Sequence, residues 1–159
     1  MSSSTAEQQY DAVYLSPIGW LGIRLQGQQL KQLAWLSARP VVKKVENRRL
    51  RIIMDALHRY FSAAQDFPTL PVAPEGTVFQ RRVWAALQDI PCGQAVTYGQ
   101  LARKLNTGSR AIGQACRANP IAVIIPCHRV IAARGPGGYM GKAGKTVIKQ
   151  WLLAHEGHD

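Results

Sequence analysis

The apolar positions of this chain keep two periods, one after the other. From Val13 to Trp35 they alternate loosely: Val13 and Leu15, then Trp20, Ile23 and Leu25, then Leu30, Leu33 and Trp35. Ser16-Pro17-Ile18-Gly19 and the neighbourhood of Gly27 supply turns between these runs, so the spacing predicts a small antiparallel sheet. Residues 37–46 are a basic loop or a further strand. Beyond Asn47 the period lengthens. Leu50, Ile53, Met54, Leu57, Tyr60 and Phe61 recur at helical spacing, with Arg48, Arg49, Arg51 and Arg59 largely off that stripe. This predicts a helix capped by Asn47 and running to about Ala63, its aromatic and methionine stripe being core. Pro68, Pro71, Pro74 and Gly76 then interrupt any period, and residues 66–76 read as a linker. The domain boundary is placed there, with a sheet-and-helix domain over 1–74 and a second domain over 75–159.

The second half carries more punctuation. Thr77 can cap a helix with Val83, Trp84, Leu87 and Ile90 on its apolar face, ended by Pro91-Cys92-Gly93. Thr97 can cap a second helix with Leu101, Ala102 and Leu105 inward. After the turn Asn106-Thr107-Gly108, Ser109 can cap a third, Arg110 to about Ala118, halted at Asn119-Pro120. Two short helices joined by a glycine-containing turn make a helix-turn-helix. The run Ile121-Ala122-Val123-Ile124-Ile125 is too short for an ordinary helix and rich in β-branched residues, so it reads as a buried strand or extended segment, ended by Pro126. A last helix, about Lys145 to His155, places Ile148, Trp151, Leu152 and His155 on one face, with Gly157 as its C′ residue. The fold class is α/β in the α+β sense: a small N-terminal antiparallel sheet with a helix, then a mainly helical domain.

Charge changes the picture more than length does. The chain has 159 residues, 47% hydrophobic, enough for a core in one domain, or in one small and one medium domain. Its 20 Lys+Arg against 9 Asp+Glu give a formal charge of +11, which points to a polyanionic partner or to a merely soluble basic protein. The third helix of the second half adds to the first of these. Ala111, Gly113, Ala115 and Ala118 are small where a major-groove reader usually carries longer side chains, and Arg110 and Arg117 lie beside them. Three irregularly spaced cysteines make neither a disulfide framework nor a zinc pattern, which suits a reducing compartment. Met1 to Glu7 lacks the features of a signal peptide, and no apolar run approaches the ~20 residues of a membrane helix. A cytoplasmic protein is expected, or a nuclear one in a eukaryote, with no membrane contact.

Candidate chemistry centres on Pro126-Cys127-His128-Arg129-Val130. A thiol beside an imidazole, delivered by a buried segment, is either a reactive pair or a structural cysteine beside a satisfied histidine. Neighbouring side chains of an extended chain point to opposite faces, so thiol–imidazole communication needs a turn or an intervening water. A carboxylate is needed to orient His128, and Glu156, at the end of the last helix, is available. Cys92 and Cys116 read as structural. The loop Arg134-Gly135-Pro136-Gly137-Gly138-Tyr139 lacks the phosphate-binding pattern G-x-x-x-x-G-K-[ST], so nucleotide binding is not expected.

Pro126 to Val130, preceded by Asn119-Pro120 and by Thr97-Tyr98-Gly99-Gln100-Leu101-Ala102, and followed by Trp151-Leu152-Leu153-Ala154-His155-Glu156-Gly157, resembles the O6-alkylguanine-DNA alkyltransferases, the methylated-DNA–protein-cysteine methyltransferase family. These motifs run in order through nearly all of residues 77–157, whereas the N-terminal half resembles the family only weakly. The resemblance implies single-use, irreversible direct reversal of damage in double-stranded DNA. Cys127 is then the acceptor of the alkyl group of O6-alkylguanine, with O4-alkylthymine a second candidate. His128 is the base through a water, and Glu156 orients it. Tyr98 and Tyr139 correspond to tyrosines beside the nucleotide phosphate and base, one of which can donate a proton as guanine O6 leaves. Asn119 braces the turn into the active site, and the carbonyls of Cys127 and Val130 accept from the guanine amine. Arg110 fills the stack that a flipped nucleotide vacates. Ser109, Ala111 and Gly113 belong to the face that lies in the minor groove.

Each role has a plainer rival: Tyr98 a core aromatic, Arg110 a phosphate clamp, Asn119 a helix stop. Two whole-protein rivals are a cysteine hydrolase using the same three residues and a damage sensor without chemistry. Met140 stands where some relatives carry Ser, and Lys142 where Gly is common, and both bear on which alkyl groups fit. No cofactor and no metal are expected, since the N-terminal half has no cysteine and only His58 for a zinc ligand. A monomer is expected, and cooperative binding along DNA stays open.

Overall fold

The computed structural model describes residues 10–43, 47–134, 139 and 146–158. The chain divides into two units, Met1–Pro74 and Glu75–Asp159.

In the first unit β1 (Ala12–Ser16), β2 (Gly19–Gln26) and β3 (Gln29–Leu36) form an antiparallel meander in that order. Leu21 and Ile23 of β2 and Leu30 and Leu33 of β3 are fully buried. A β-carbon at Gly22 would come within 2.7 Å of the Tyr10 ring, so this β2 position admits glycine alone without a shift. Helix α1 (Arg48–Ser62) begins where Asn47 Oδ1 accepts the Arg49 N–H at 2.7 Å. Leu50, Ile53, Ala56, Leu57, Tyr60 and Phe61 form its buried face, and Phe61 stacks on Tyr14 of β1 at 5.8 Å. The proline-rich stretch is more than a linker. Leu30 N–H donates to Pro71 C=O at 2.9 Å and Ala73 N–H donates to Leu30 C=O at 2.8 Å, pairing Val72 with β3. Prolines at 71 and 74 are compatible with this edge position because the N–H used belongs to Ala73.

In the second unit α2 (Val78–Gln88) and α3 (Tyr98–Lys104) each start with a capping box, Thr77 with Gln80 and Thr97 with Gln100. Trp84 of α2 is buried and donates its indole N–H to the Ala115 carbonyl at 2.8 Å. Helix α4 (Ser109–Arg117) follows a turn in which Asn106 takes φ 56°. The expected Ser109 cap is corrected here. Gly108 holds the N-cap position without a side-chain bond, and Ser109 is already helical and exposed. The two-residue strand β4 (Val96–Thr97) runs parallel to β5 (Val130–Ile131), which follows a single 3-10 turn, Cys127–Arg129. Helix α5 (Thr146–His155) closes the chain.

Two further expectations change. Ile121–Ile125 is no strand but a succession of turns, described below. The buried face of α5 is also one residue out of step with the expected one. Lys149, Leu152, Leu153 and Glu156 are buried, whereas Ile148, Trp151 and His155 are partly exposed. Both stripes satisfy helical spacing, and a lysine hid the correct one.

Candidate active site

The segment that carries Cys127 is wound tightly between two ends held by one side chain. Asn119 Oδ1 accepts the Ile121 N–H at 2.9 Å, and Asn119 Nδ2 donates to the Ile125 carbonyl at 2.8 Å. Between these anchors Ile124 N–H donates to Ala122 C=O at 2.7 Å, a γ-turn centred on Val123 at φ 68°. A β-branched residue in that region is strained by about 1–3 kcal/mol, and the buried anchors hold it there. A second γ-turn, of the relaxed hand, follows. Cys127 N–H donates to Ile125 C=O at 2.8 Å across Pro126, whose φ of −83° and ψ of 67° fit the ring. The 3-10 turn over Cys127–Arg129 then supplies the bend that an extended Cys-His pair lacks.

Cys127 is 3% exposed and His128 is fully buried. His128 Nε2 lies 2.8 Å from Glu156 Oε2. An ionised carboxylate only accepts, so Nε2–H donates and the lone pair of a neutral ring sits on Nδ1. Nδ1 makes no hydrogen bond to the protein among the described residues. Glu156 is delivered by the end of α5. Gly157 at φ 86° permits a Schellman closure, with Gly157 N–H on Ala154 C=O at 3.0 Å and His158 N–H on Leu153 C=O at 2.9 Å.

Two residues absent from the expected site complete it. Arg129 is buried and forks onto Glu156, Nε to Oε1 and Nη2 to Oε2, both at 2.9 Å, while Nη1 donates to the Ile90 carbonyl at 2.6 Å. Lys149 is also buried. Its Nζ donates to the Val130 carbonyl at 2.6 Å and to Tyr98 Oη at 3.4 Å, and lies 5.5 Å from the Tyr98 ring centroid. A sequence signal existed for each. Arg129 is within the cysteine motif, and Lys149, Leu152, Leu153 and Glu156 share a helical stripe.

Burial dominates the proton affinities here. It pushes the Cys127 thiol up to about 11, opposed by a hydrogen bond from Asn119 and by the charge of Lys149. It lowers His128, against the raising influence of Glu156 and in concert with the charges of Arg129 and Lys149. It also pushes the Tyr98 phenol up to about 12, reinforced by Cys116 and Cys127. At neutral pH the resting state is therefore a thiol beside a neutral imidazole.

The remaining expected residues fall into two groups. Val130 and Tyr139 are buried and Tyr98 is half-buried. On α4, Ser109 and Arg110 are exposed and Ala111 and Gly113 partly so, and a β-carbon at Gly113 would meet nothing within 4 Å. Met140 and Lys142 lie outside the described residues. None of Cys92, Cys116 and Cys127 is in a disulfide. No described helix is long and apolar enough to cross a membrane.

Residues 78–158 match the family described as 6-O-methylguanine DNA methyltransferase, DNA binding domain. A methylated-DNA–protein-cysteine methyltransferase of Shigella flexneri is 47% identical over 109 residues, 67% of this chain and 63% of that protein. The namesake from Methanosarcina acetivorans is 38% identical over 155 residues, covering 93% of this chain and 98% of its own. Among solved structures, the O6-methylguanine methyltransferase of Mycobacterium tuberculosis superposes with a TM-score of 0.78 at 34% identity, over 91% of this chain and 90% of that one. Mycobacterium tuberculosis OGT in complex with DNA gives a TM-score of 0.77 at 35% identity, with the same coverage. With a family match across the second unit and a relative aligned along nearly the whole chain, this protein belongs to the methylated-DNA–protein-cysteine methyltransferase family.

Proposed function

We propose that this protein repairs O6-alkylguanine in double-stranded DNA by moving the alkyl group irreversibly onto Cys127. The observation that carries the reading is the placement of the thiol: buried, on a turn, next to an imidazole whose far nitrogen is held by Glu156 at 2.8 Å. A neutral thiol is a poor nucleophile, so the proton must leave as the reaction proceeds. It passes to His128 Nδ1, through a water, and the imidazolium is balanced by Glu156. The thiolate attacks the alkyl carbon in line, the S–C bond forms, and the C–O6 bond breaks with its electron pair going to guanine. Guanine takes up a proton, for which the Tyr98 hydroxyl is the candidate donor, with Tyr139 as the second tyrosine at the base.

A site this buried meets a base only when the nucleotide has left the duplex. Exposed Arg110 fills the vacated stack. The small face of α4, with Ser109, Ala111 and Gly113, enters the minor groove, which suits damage without a fixed sequence context. The formal charge of +11 supplies affinity through phosphate contacts. Asn119 holds the acceptor segment, and the Val130 carbonyl, already bonded to Lys149 Nζ, has a second lone pair for the guanine amine.

The product is a thioether, which has no carbonyl for water to attack and no good leaving group. Repair therefore titrates protein against lesions. The test is intact mass and peptide mapping during incubation with excess O6-methylguanine DNA. One methyl on Cys127 and a plateau at one lesion per molecule are expected, with Cys127→Ala binding DNA but accepting nothing. Turnover beyond one equivalent, methyl on Cys92 or Cys116, or unmodified protein that binds damaged DNA would overturn the reading.

A further inference from the structure

Glu156 is shared unequally. Arg129 takes both carboxylate oxygens, at 2.9 Å each, in the planar two-pronged geometry that suits a guanidinium, whereas His128 reaches Oε2 alone. Arg129 is 4% exposed, and its third contact is Nη1 donating to the Ile90 carbonyl at 2.6 Å.

We propose that Arg129 is a positioning residue for alkyl transfer: it occupies the Glu156 carboxylate so that His128 rests unprotonated and is free to receive the proton that Cys127 must lose. This rests on the alkyl-transfer reading for its kinetic consequence, though the charge balance stands apart from it.

A carboxylate buried against an imidazole draws a proton onto the ring, because an ion pair is then the better way to satisfy both. A ring already protonated has no lone pair on Nδ1 and cannot act as a base. The groups that face His128 are Glu156 from the end of α5, Lys149 from within α5 and Arg129 beside it in the chain. The two cations oppose protonation of the ring and Glu156 favours it. Arg129 acts twice, by its own charge and by engaging the lone pairs that His128 shares. During transfer the same carboxylate still stabilises the imidazolium, since Oε2 keeps its contact with Nε2. The arrangement thus holds the resting base empty without removing its counter-charge.

The experiment uses the full chain and two readouts. Ring nitrogen NMR follows His128 protonation against pH, and the rate of reaction with free O6-benzylguanine follows transfer without a DNA-binding step. In R129Q the His128 titration should move up by about one pH unit or more, a tenfold change in proton affinity. The acid limb of the rate profile should move with it, while rates converge on wild type at high pH. R129K keeps the charge without the fork and should shift both in the same direction by less. It also carries the test should R129Q fail to fold. Folded R129Q whose titration and acid limb match wild type would overturn the proposal, as would a downward shift in either variant or an unmoved titration in R129K when R129Q does not fold. Should wild type transfer no alkyl group to Cys127, the repair reading fails, and the NMR titration still judges Arg129.

Discussion

Lys149 Nζ lies 2.6 Å from the carbonyl oxygen of Val130, so a buried cation on α5 holds the backbone three residues after the Cys127 thiol. The bond fixes one end of the segment that Asn119 fixes at the other. Lys149→Met keeps most of the aliphatic stem and removes the donor and the charge. Transfer should slow by about tenfold or more, ~1.4 kcal/mol of barrier. The melting temperature should move little, because the lost bond is offset by relief from burying a cation. Single-turnover rates and thermal melts on the same sample decide this. An unchanged rate with a large fall in melting temperature would make the contact purely structural.

Glu156→Gln should affect both chemistry and stability. The substitution leaves Arg129 buried without its counter-ion, at a cost of about 3–5 kcal/mol. It also withdraws the charge that stabilises the imidazolium. DNA binding should be nearly retained below the lowered melting temperature, with transfer slowed there. Equal rates for folded variant and wild type would falsify the relay.

Arg110→Ala should separate flipping from displacement. The side chain is exposed on α4. Repair of duplex substrate should fall about tenfold, while reaction with free O6-benzylguanine should hardly change, since no nucleotide is extruded in that case. The two rates are compared in one buffer. Matching losses would move Arg110 into the chemistry or the folding.

Acid should destabilise the fold through His128. Burial lowers its proton affinity in the native state, whereas in the unfolded chain it titrates near ~6.5. Below that pH the unfolded state binds a proton that the native state does not. Stability is therefore fully present above ~6.5 and is lost as pH falls toward the native-state pKa, by up to ~1.4 kcal/mol per unit. Denaturant unfolding of wild type and His128→Gln between about pH 8 and pH 5 measures it. The gap between them should narrow on the acid side, and a constant gap would assign the acid sensitivity elsewhere.

Local signals in the sequence announced most of the features whose physics is local, the Ser109 cap being the exception. Asn47, Thr77 with Gln80 and Thr97 with Gln100 announce helix starts because each side chain satisfies an N–H two or three residues away. Gly157 announces a helix end because the closure needs positive φ. The alternating runs from Val13 to Trp35 announce the meander because one face of each strand must be buried. The Pro126–Val130 motif singles out the segment proposed to react, because it sets a thiol beside an imidazole and a guanidinium.

Tertiary structure decided what depends on partners distant in sequence. Ile121–Ile125 has the composition of a strand, yet Asn119 and buried packing wind it into turns and hold Val123 at φ 68°. Nothing local in the sequence distinguishes Lys149 from a solvated lysine, and the fold brings the Val130 carbonyl and Tyr98 to it. Arg129 reads as one more basic residue until Glu156 arrives 27 residues later in the chain. A buried charge is stable only with its counter-charge in place, and the identity of that counter-charge is settled by the fold.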